Sequence, residues 1–254
     1  MTPAGGYTPA PDAAAAAWVV QGLRGFAASV LSVVPAGFPA YARVFHPARR
    51  RDGDRRTVVG WREVAAANGR VAHRAMQWPS LVGSRRRVHG DTQPGVWDEE
   101  PAEGSLPRDL ALVLAGVLTG HTTTADRCWF AVWDGFGCLP AVVQRSPSFW
   151  IPHRRLLLLT GAIGAVAGSL CPPPFWQSPS LWWPDDRAWC VATEIDLMST
   201  YLGGSQAGVQ AILDHPELEA LAVEPTDPIA WDGDRRNPLP TPGPPGVGRR
   251  RGER

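Results

Sequence analysis

The feature that most constrains the fold is a stretch of the chain, residues 156–184, that carries no charged side chain. It is interrupted by three glycines and a run of three prolines: Gly161, Gly164, Gly168 and residues 172–174. These leave about 16 residues of continuous apolar helix, fewer than the roughly 20 that a membrane-spanning helix needs. The stretch therefore predicts buried segments of a globular core, with a strand at 156–159, and no membrane contact.

The basic side chains are all arginine. The chain has 25 basic residues and no lysine, which excludes a Schiff-base lysine, a P-loop lysine and a Ser–Lys dyad. The formal net charge is only +1, so the surface as a whole does not favour polyanions. Hydrophobic residues make up 44% of the chain and there are twelve tryptophans, which is enough material for a sizeable core.

Charge is segregated along the chain. Residues 43–90 contain twelve Arg and three acidic residues, whereas residues 185–234 contain eleven acidic residues and one Arg. The last twenty residues carry a net charge of +5. Either the basic and acidic halves face each other across the fold, or a basic face serves a partner while an acidic face repels wrong ones. The sequence leaves both arrangements open.

The four cysteines are too far apart to form a recognisable motif. Cys128, Cys138, Cys171 and Cys190 include no C-x-x-C pair, so neither a zinc site nor a redox motif is indicated. A core of this size does not require disulfides, and no secretory signal precedes it. We therefore expect reduced thiols and a cytoplasmic location.

The pattern of elements favours the α+β class. Strands are predicted at 41–45, 128–133, 156–159, 187–195 and 218–223, and helices at 13–23, 60–68, 105–118 and 206–213. Residues 49–56 are predicted as a charged loop. Because helices and strands do not alternate regularly, we expect a single domain at 12–234 with a largely antiparallel mixed sheet and flanking helices. Residues 1–11 and the Pro/Gly/Arg-rich segment 235–254 are expected to be disordered tails.

Two acidic residues offer the strongest catalytic candidate. Glu194 and Asp196 alternate on the predicted strand, so both would leave the same face and could bind a divalent metal or share a proton. Asp185, Asp186 and His121 could join them in a metal-dependent hydrolase. The other interpretation is a solvated strand face paired with arginine, and we predict neither a metal nor a cofactor.

A serine after two glycines loosely matches a nucleophile elbow. Ser205 follows Gly203 and Gly204 between a predicted strand and helix. Only His215 follows it, ten residues on, and the chain is too short for the rest of a hydrolase of that type. Ser205 is therefore predicted to cap the helix.

Four arginine clusters suggest nucleic-acid binding as a second alternative. They lie at 49–51, 55–56, 249–251 and at Arg85, Arg86 and Arg87. Arginine suits phosphate recognition, and Trp61 or Trp78 could stack on a base. No nucleic-acid fold signature accompanies the region 49–87, so nucleic acid is not the favoured partner.

Tryptophans are concentrated in a proline-rich stretch. Trp176, Trp182, Trp183 and Trp189 lie close to Phe175 and the prolines at 172–174. Such a cluster either forms a rigid lid over the core or an exposed aromatic anchor for a partner protein. Trp182, Trp183 and Trp176 are the candidate partner-binding residues.

Three stretches resemble a family of uncharacterised actinobacterial proteins. They are YARVFHP from Tyr41, CWFAVWDGFG from Cys128 and LWWPDDRAWCVATEIDLMSTYLGG from Leu181. The resemblance covers residues 18–228 and implies domain limits, but no activity, ligand or site. The leading hypothesis is a non-catalytic cytosolic protein that acts through a protein partner, as an immunity-like or regulatory adaptor does.

Overall fold

The computed structural model describes residues 6–84 and 90–239, which contain six α-helices and eleven strands. The helices α1–α6 are Ala17–Gly22, Trp61–Ala67, Trp78–Val82, Arg108–Thr119, Ala141–Gln144 and Gln206–Leu213. The strands β1–β11 are Thr8–Pro9, Ala40–Phe45, Ala48–Asp52, Arg55–Val59, Cys128–Trp133, Ser148–Ile151, Arg154–Gly161, Leu181–Pro184, Cys190–Ala192, Ser199–Gly204 and Ala220–Ala222. Short 3-10 turns lie at Ala14–Ala16, Val30–Ser32 and Ile163–Ala167. The α+β class is confirmed.

Nine strands of the described residues form one sheet. Their order is β1-β7-β5-β8-β9-β10-β2-β11, and β6 pairs with the remaining part of β7. Every pairing in this sheet is antiparallel, as predicted. Strands β3 and β4 form a separate antiparallel hairpin.

Both faces of the sheet are covered. Successive side chains of a strand point to opposite faces, so a strand with two covered faces is apolar at every position. Trp182 and Trp183 follow this rule: Trp182 packs in the cluster that contains α4 and α6, and Trp183 packs in the cluster formed with the N-terminal segment 10–34. The four residues of β8 are all buried for this reason.

A third hydrophobic cluster is built around the hairpin and α2. Phe45, Trp61, Trp78 and Trp97 pack in sequence, with ring centroids 4.9–5.4 Å apart. The buried guanidinium of Arg43 lies 4.6 Å from the Phe45 ring centroid and donates to the carbonyl of Met76 at 2.7 Å. Arg43 therefore joins the main sheet to this cluster through ring contacts and hydrogen bonds to neutral groups.

The basic and acidic halves of the sequence face each other in part. Strand β2 of the basic half lies between β10 and β11 of the acidic half. Arg74 Nε lies 2.8 Å from Asp227 Oδ2, and the Glu219 carboxylate accepts from the backbone N–H groups of Trp61 and Arg62 at 2.6 and 2.8 Å. These contacts correspond to the arrangement in which the basic and acidic halves face each other across the fold.

The charge-free stretch 156–184 supplies sheet and turns. It contributes most of β7, the 3-10 turn Ile163–Ala167 and the central strand β8. Across residues 6–84 and 90–239, no helix combines the length and the apolar character that crossing a bilayer requires.

Two of the predicted elements differ from the structure. Residues 49–56 form most of the β3–β4 hairpin instead of a loop, because Ala48 and Val59 pack into the third cluster and the arginines find carboxylate partners. The predicted strand 187–195 is shorter, since β9 covers only Cys190–Ala192 and a turn follows it.

The folded part extends beyond both predicted limits. Tyr7 is fully buried and β1 pairs with β7, so residues 6–11 are not a disordered tail. Asn237 is also buried, because its side chain exchanges hydrogen bonds with the backbone of Val71 at 2.9 Å in both directions. The rest of the two predicted tails, at 1–5 and 240–254, lies outside the described residues.

Two of the cysteines are bonded, so the expectation of four reduced thiols is wrong. Cys138 and Cys171 form a disulfide, which brings together positions 33 residues apart. Cys128 and Cys190 are free and buried. Burial is the main reason that the pKa of the Cys128 thiol rises to about 12, with nearby aspartates acting in the same direction, so it is a poor nucleophile at neutral pH.

We expect the oxidised protein to contain two titratable thiols. Denatured protein purified without reductant should react with two equivalents of a thiol reagent, and reduced protein with four. The disulfide closes a loop in the unfolded chain and so lowers its conformational entropy. The variant Cys138→Ser/Cys171→Ser should therefore lose about 3–4 kcal/mol of unfolding free energy for a loop of this length. Four reactive thiols in the unreduced sample would contradict this assignment.

Candidate functional site

An apolar cleft of about 180 Å³ opens on the face of the sheet that the N-terminal segment covers. Its floor consists of six buried apolar side chains: Val33, Leu156, Leu181, Ala192, Leu197 and Ile229. Phe26 and Trp231 also line it, and each is 43% exposed. Three buried polar residues, Ser32, Ser180 and Thr193, also line it. The cleft therefore has a mainly apolar interior and an aromatic lip that solvent reaches.

One side of the cleft is polar. Arg154, at the start of β7, lies opposite the turn that follows β9 and contacts two carboxylates of that turn. Its Nη2 donates to Glu194 Oε1 at 3.2 Å and to Asp196 Oδ2 at 3.0 Å. The backbone N–H of Asp196 donates to Glu194 Oε2 at 2.6 Å. One guanidinium and two carboxylates thus meet at this side of the cleft.

Aromatic rings hold the Arg154 side chain in place. Its guanidinium carbon lies 5.4 Å from the Phe26 ring centroid and 5.7 Å from that of Trp133. Its Nε is buried and has no hydrogen-bond partner among the described residues. The orientation of Arg154 is thus set by Nη2 and by ring contacts, a combination that suits a partly desolvated cation.

Burial raises the pKa of the Glu194 carboxyl above its ordinary value. The hydrogen bond from the backbone of Asp196 and the charge of Arg154 oppose this rise, while the charge of Asp196 adds to it. A carboxyl in this environment loses its proton at a higher pH than an exposed glutamate does.

The backbone is strained beside the cleft. Ala27 has φ of 49° and His153 has φ of 60°, both in the left-handed region that residues with a Cβ rarely adopt. Ala27 lines the cleft, and His153 lies between two of its lining residues, Pro152 and Arg154. Strained positions of this kind concentrate at binding and catalytic sites, where the surrounding structure holds them.

The structure does not bring the hydrolase candidates together. Asp186 accepts hydrogen bonds from Thr122 and Thr123, in the turn that contains His121. Asp185 binds Arg127 and the indole N–H of Trp129. Glu194 and Asp196 instead face Arg154. Pairing with arginine was the other interpretation of these two residues. Within residues 6–84 and 90–239, no group of three or more His, Cys, Asp or Glu side chains could hold a metal ion.

Ser205 caps α6, as predicted. Its hydroxyl accepts from the backbone N–H of Gly208 at 3.1 Å, and His215 lies beyond the far end of the helix. A Cβ at Gly208 would approach the His121 ring to 3.2 Å, so His121 packs against the start of α6, where its ring fills space.

The expected aromatic anchor is not on the surface. Trp182 is 0% and Trp183 1% exposed, so the prediction that they bind a partner is wrong: a central strand with two covered faces leaves neither indole available. Trp176 is half-buried and its indole N–H donates to the Leu106 carbonyl at 2.8 Å. The surface aromatics of the cleft, Phe26 and Trp231, were missed because isolated aromatics carry no periodic signal.

Four of the five arginines of the β3–β4 hairpin are ion-paired: Arg49, Arg50, Arg51 and Arg56. Arg49 contacts Asp109 at 2.8 Å and Arg51 contacts Glu99 at 2.7 Å. The predicted binding residues Arg85, Arg86 and Arg87 lie outside the described residues. The hairpin therefore offers a nucleic acid less free charge than its sequence suggests.

No protein-family profile, curated protein or solved structure is significantly similar to this chain. Only the residues of the site itself therefore indicate a function.

We expect the stability of the protein to report the titration of Glu194. Because the pKa of Glu194 is higher in the folded state, the folded protein binds this proton more tightly than the unfolded chain does. This binding stabilises the fold fully below the ordinary glutamate pKa, and the stabilisation is lost as pH rises through the raised pKa. The unfolding free energy of wild type relative to Glu194→Gln should therefore fall as pH rises from the ordinary glutamate pKa, about 4, through the raised one. Urea unfolding at several pH values measures it, and a difference that is constant or rises with pH would contradict the assignment.

Proposed function

We propose that this chain is a non-catalytic adaptor that binds a protein partner by accepting one bulky apolar side chain of that partner in the cleft. The observation that carries the proposal is the combination of a mainly apolar interior with an accessible aromatic lip. Partner-binding sites commonly have this form, in which a central anchor residue is desolvated and surrounded by a polar rim.

The size of the cleft supports a side chain as its occupant. Cavities of about 150 Å³ accommodate a benzene-sized molecule, whereas sites for larger ligands measure roughly 300–1,000 Å³. At about 180 Å³ the cleft matches one leucine, phenylalanine or similar group. The rest of the partner would lie outside, across Phe26 and Trp231.

The charges beside the cleft indicate the chemistry of the partner. Arg154 contacts the carboxylates of both Glu194 and Asp196, and the Asp196 side chain is 51% accessible to solvent. An arginine or lysine next to the apolar anchor would lie close to these two carboxylates. We therefore propose a partner segment in which a bulky apolar residue adjoins a basic one.

A cytoplasmic location is the part of this proposal that the Cys138–Cys171 disulfide opposes, because cytosolic thiols are generally kept reduced. The state of that pair in protein isolated from its host therefore tests the location independently of the cleft.

Selection from a displayed random-peptide library tests the function. Wild-type protein should enrich peptides in which a large apolar residue adjoins Arg or Lys. The substitution Ala230→Trp, at a cleft residue, should weaken binding of a selected peptide at least tenfold, because the added indole fills the space. Fluorescence anisotropy with a labelled peptide measures the change.

Ala66→Trp is the matched control, since Ala66 lies on the exposed side of α2 and outside the cleft. It should leave the affinity within twofold of wild type. Thermal unfolding verifies that both variants fold, and Trp231→Ala tests the lip without adding volume. Selection without a consensus, or equal binding by Ala230→Trp and wild type, would refute the proposal.

A further inference from the structure

A second, open groove of about 800 Å³ is lined by residues of α2, β11, the loop at 72–75 and the segment 228–236. Four exposed arginines line it: Arg62, Arg74, Arg235 and Arg236. The groove and the apolar cleft share no lining residue. The two are thus separate sites.

The four arginines of the groove differ in whether a carboxylate contacts them. Arg74 lies 2.8 Å from Asp227 and 3.6 Å from Glu224, so acidic neighbours offset its charge. Arg62, Arg235 and Arg236 form no ion pair with any carboxylate of the described residues. Glu219 lies beside Arg62 and interacts with its charge, but its carboxylate oxygens accept from two backbone N–H groups at the start of α2. Three of the four guanidinium groups that line the groove are therefore not in direct contact with a carboxylate of the described residues.

Buried hydrogen bonds fix the wall that carries Arg235 and Arg236. The Asp234 carboxylate accepts from the backbone N–H groups of Arg236 and Asn237, each at 2.9 Å. The same carboxylate lies 2.8 Å from His73 Nε2, on the neighbouring loop. Asp234 and Asn237 are both buried, so the two arginines extend from an anchored segment. The fixed backbone keeps both arginine side chains at this wall of the groove.

We propose that this groove binds a small anion with two or three linked phosphate groups. Guanidinium groups donate to phosphate oxygens in a bidentate geometry, and three free arginines match such a charge. The groove volume lies within the range of small-molecule sites, and the apolar Leu221, Ala222 and Pro228 give room for a carbon substituent. No Trp, Tyr or Phe lines it, which disfavours the base stacking that single-stranded nucleic acids use.

Titration calorimetry with tripolyphosphate tests the proposal on the full chain. Binding should be measurable at 50 mM NaCl and at least fivefold weaker at 200 mM, because charge dominates it. The variant Arg235→Gln/Arg236→Gln should weaken binding at least tenfold, and Arg62→Gln at least threefold from the opposite wall. These substitutions leave the backbone contacts of Asp234 intact, so the fold is retained, which thermal unfolding verifies.

The matched control is Arg55→Gln/Arg56→Gln, which removes the same charge from an adjacent arginine pair on β4. It should change tripolyphosphate affinity less than twofold. Equal losses in both double variants, or no heat of binding at 1 mM tripolyphosphate, would overturn the proposal. Tighter binding of a 15-nucleotide oligothymidine than of tripolyphosphate, with a loss of affinity in both double variants, would also overturn the proposal. That result would indicate a general polyanion-binding surface.

Discussion

The burial of both faces of one antiparallel sheet is the constraint on which the rest of this structure depends. Antiparallel sheets commonly leave one face in water, and their strands then alternate between apolar and polar residues. Here the central strands β5, β8 and β10 supply side chains to a cluster on each face. Adjacent tryptophans at 182 and 183 are a direct result, because two covered faces require a buried side chain at every position.

Covering the second face determines where the apolar cleft lies. The N-terminal segment and residues near Ile229 pack over β5, β8 and β9, but they do not close over the turn after β9. Glu194 and Asp196 of that turn need a cation, which Arg154 supplies from β7 across the gap. The cleft is therefore bounded by a core on one side and an ion cluster on the other, and this juxtaposition supports the adaptor proposal.

The contacts between the basic and acidic halves also shape the second groove. Asp227 and Asp234 bind side chains of the loop that contains His73 and Arg74, and Glu219 binds the start of α2. The guanidinium groups of Arg62, Arg235 and Arg236, which contact none of these carboxylates directly, line one groove on the same surface. Charge segregation along the chain thus leads both to internal pairing and to a groove with unpaired guanidinium groups.

The sequence by itself determined the α+β class, the antiparallel sheet, four of the six helices and the approximate positions of five of the eleven strands, because apolar periodicity and local capping act over a few residues. Helix α6 and its Ser205 cap are examples. Only the tertiary structure decided which charges pair, which cysteines are bonded and which aromatics are exposed. Glu194 meets Arg154 across 40 positions, and Phe26 meets Trp231 at one cleft, through strand order that no local pattern encodes. The candidate sites depend on such pairs of residues that are distant in the sequence. These side chains gain free energy from burial and pairing only after the chain has folded and brought them together.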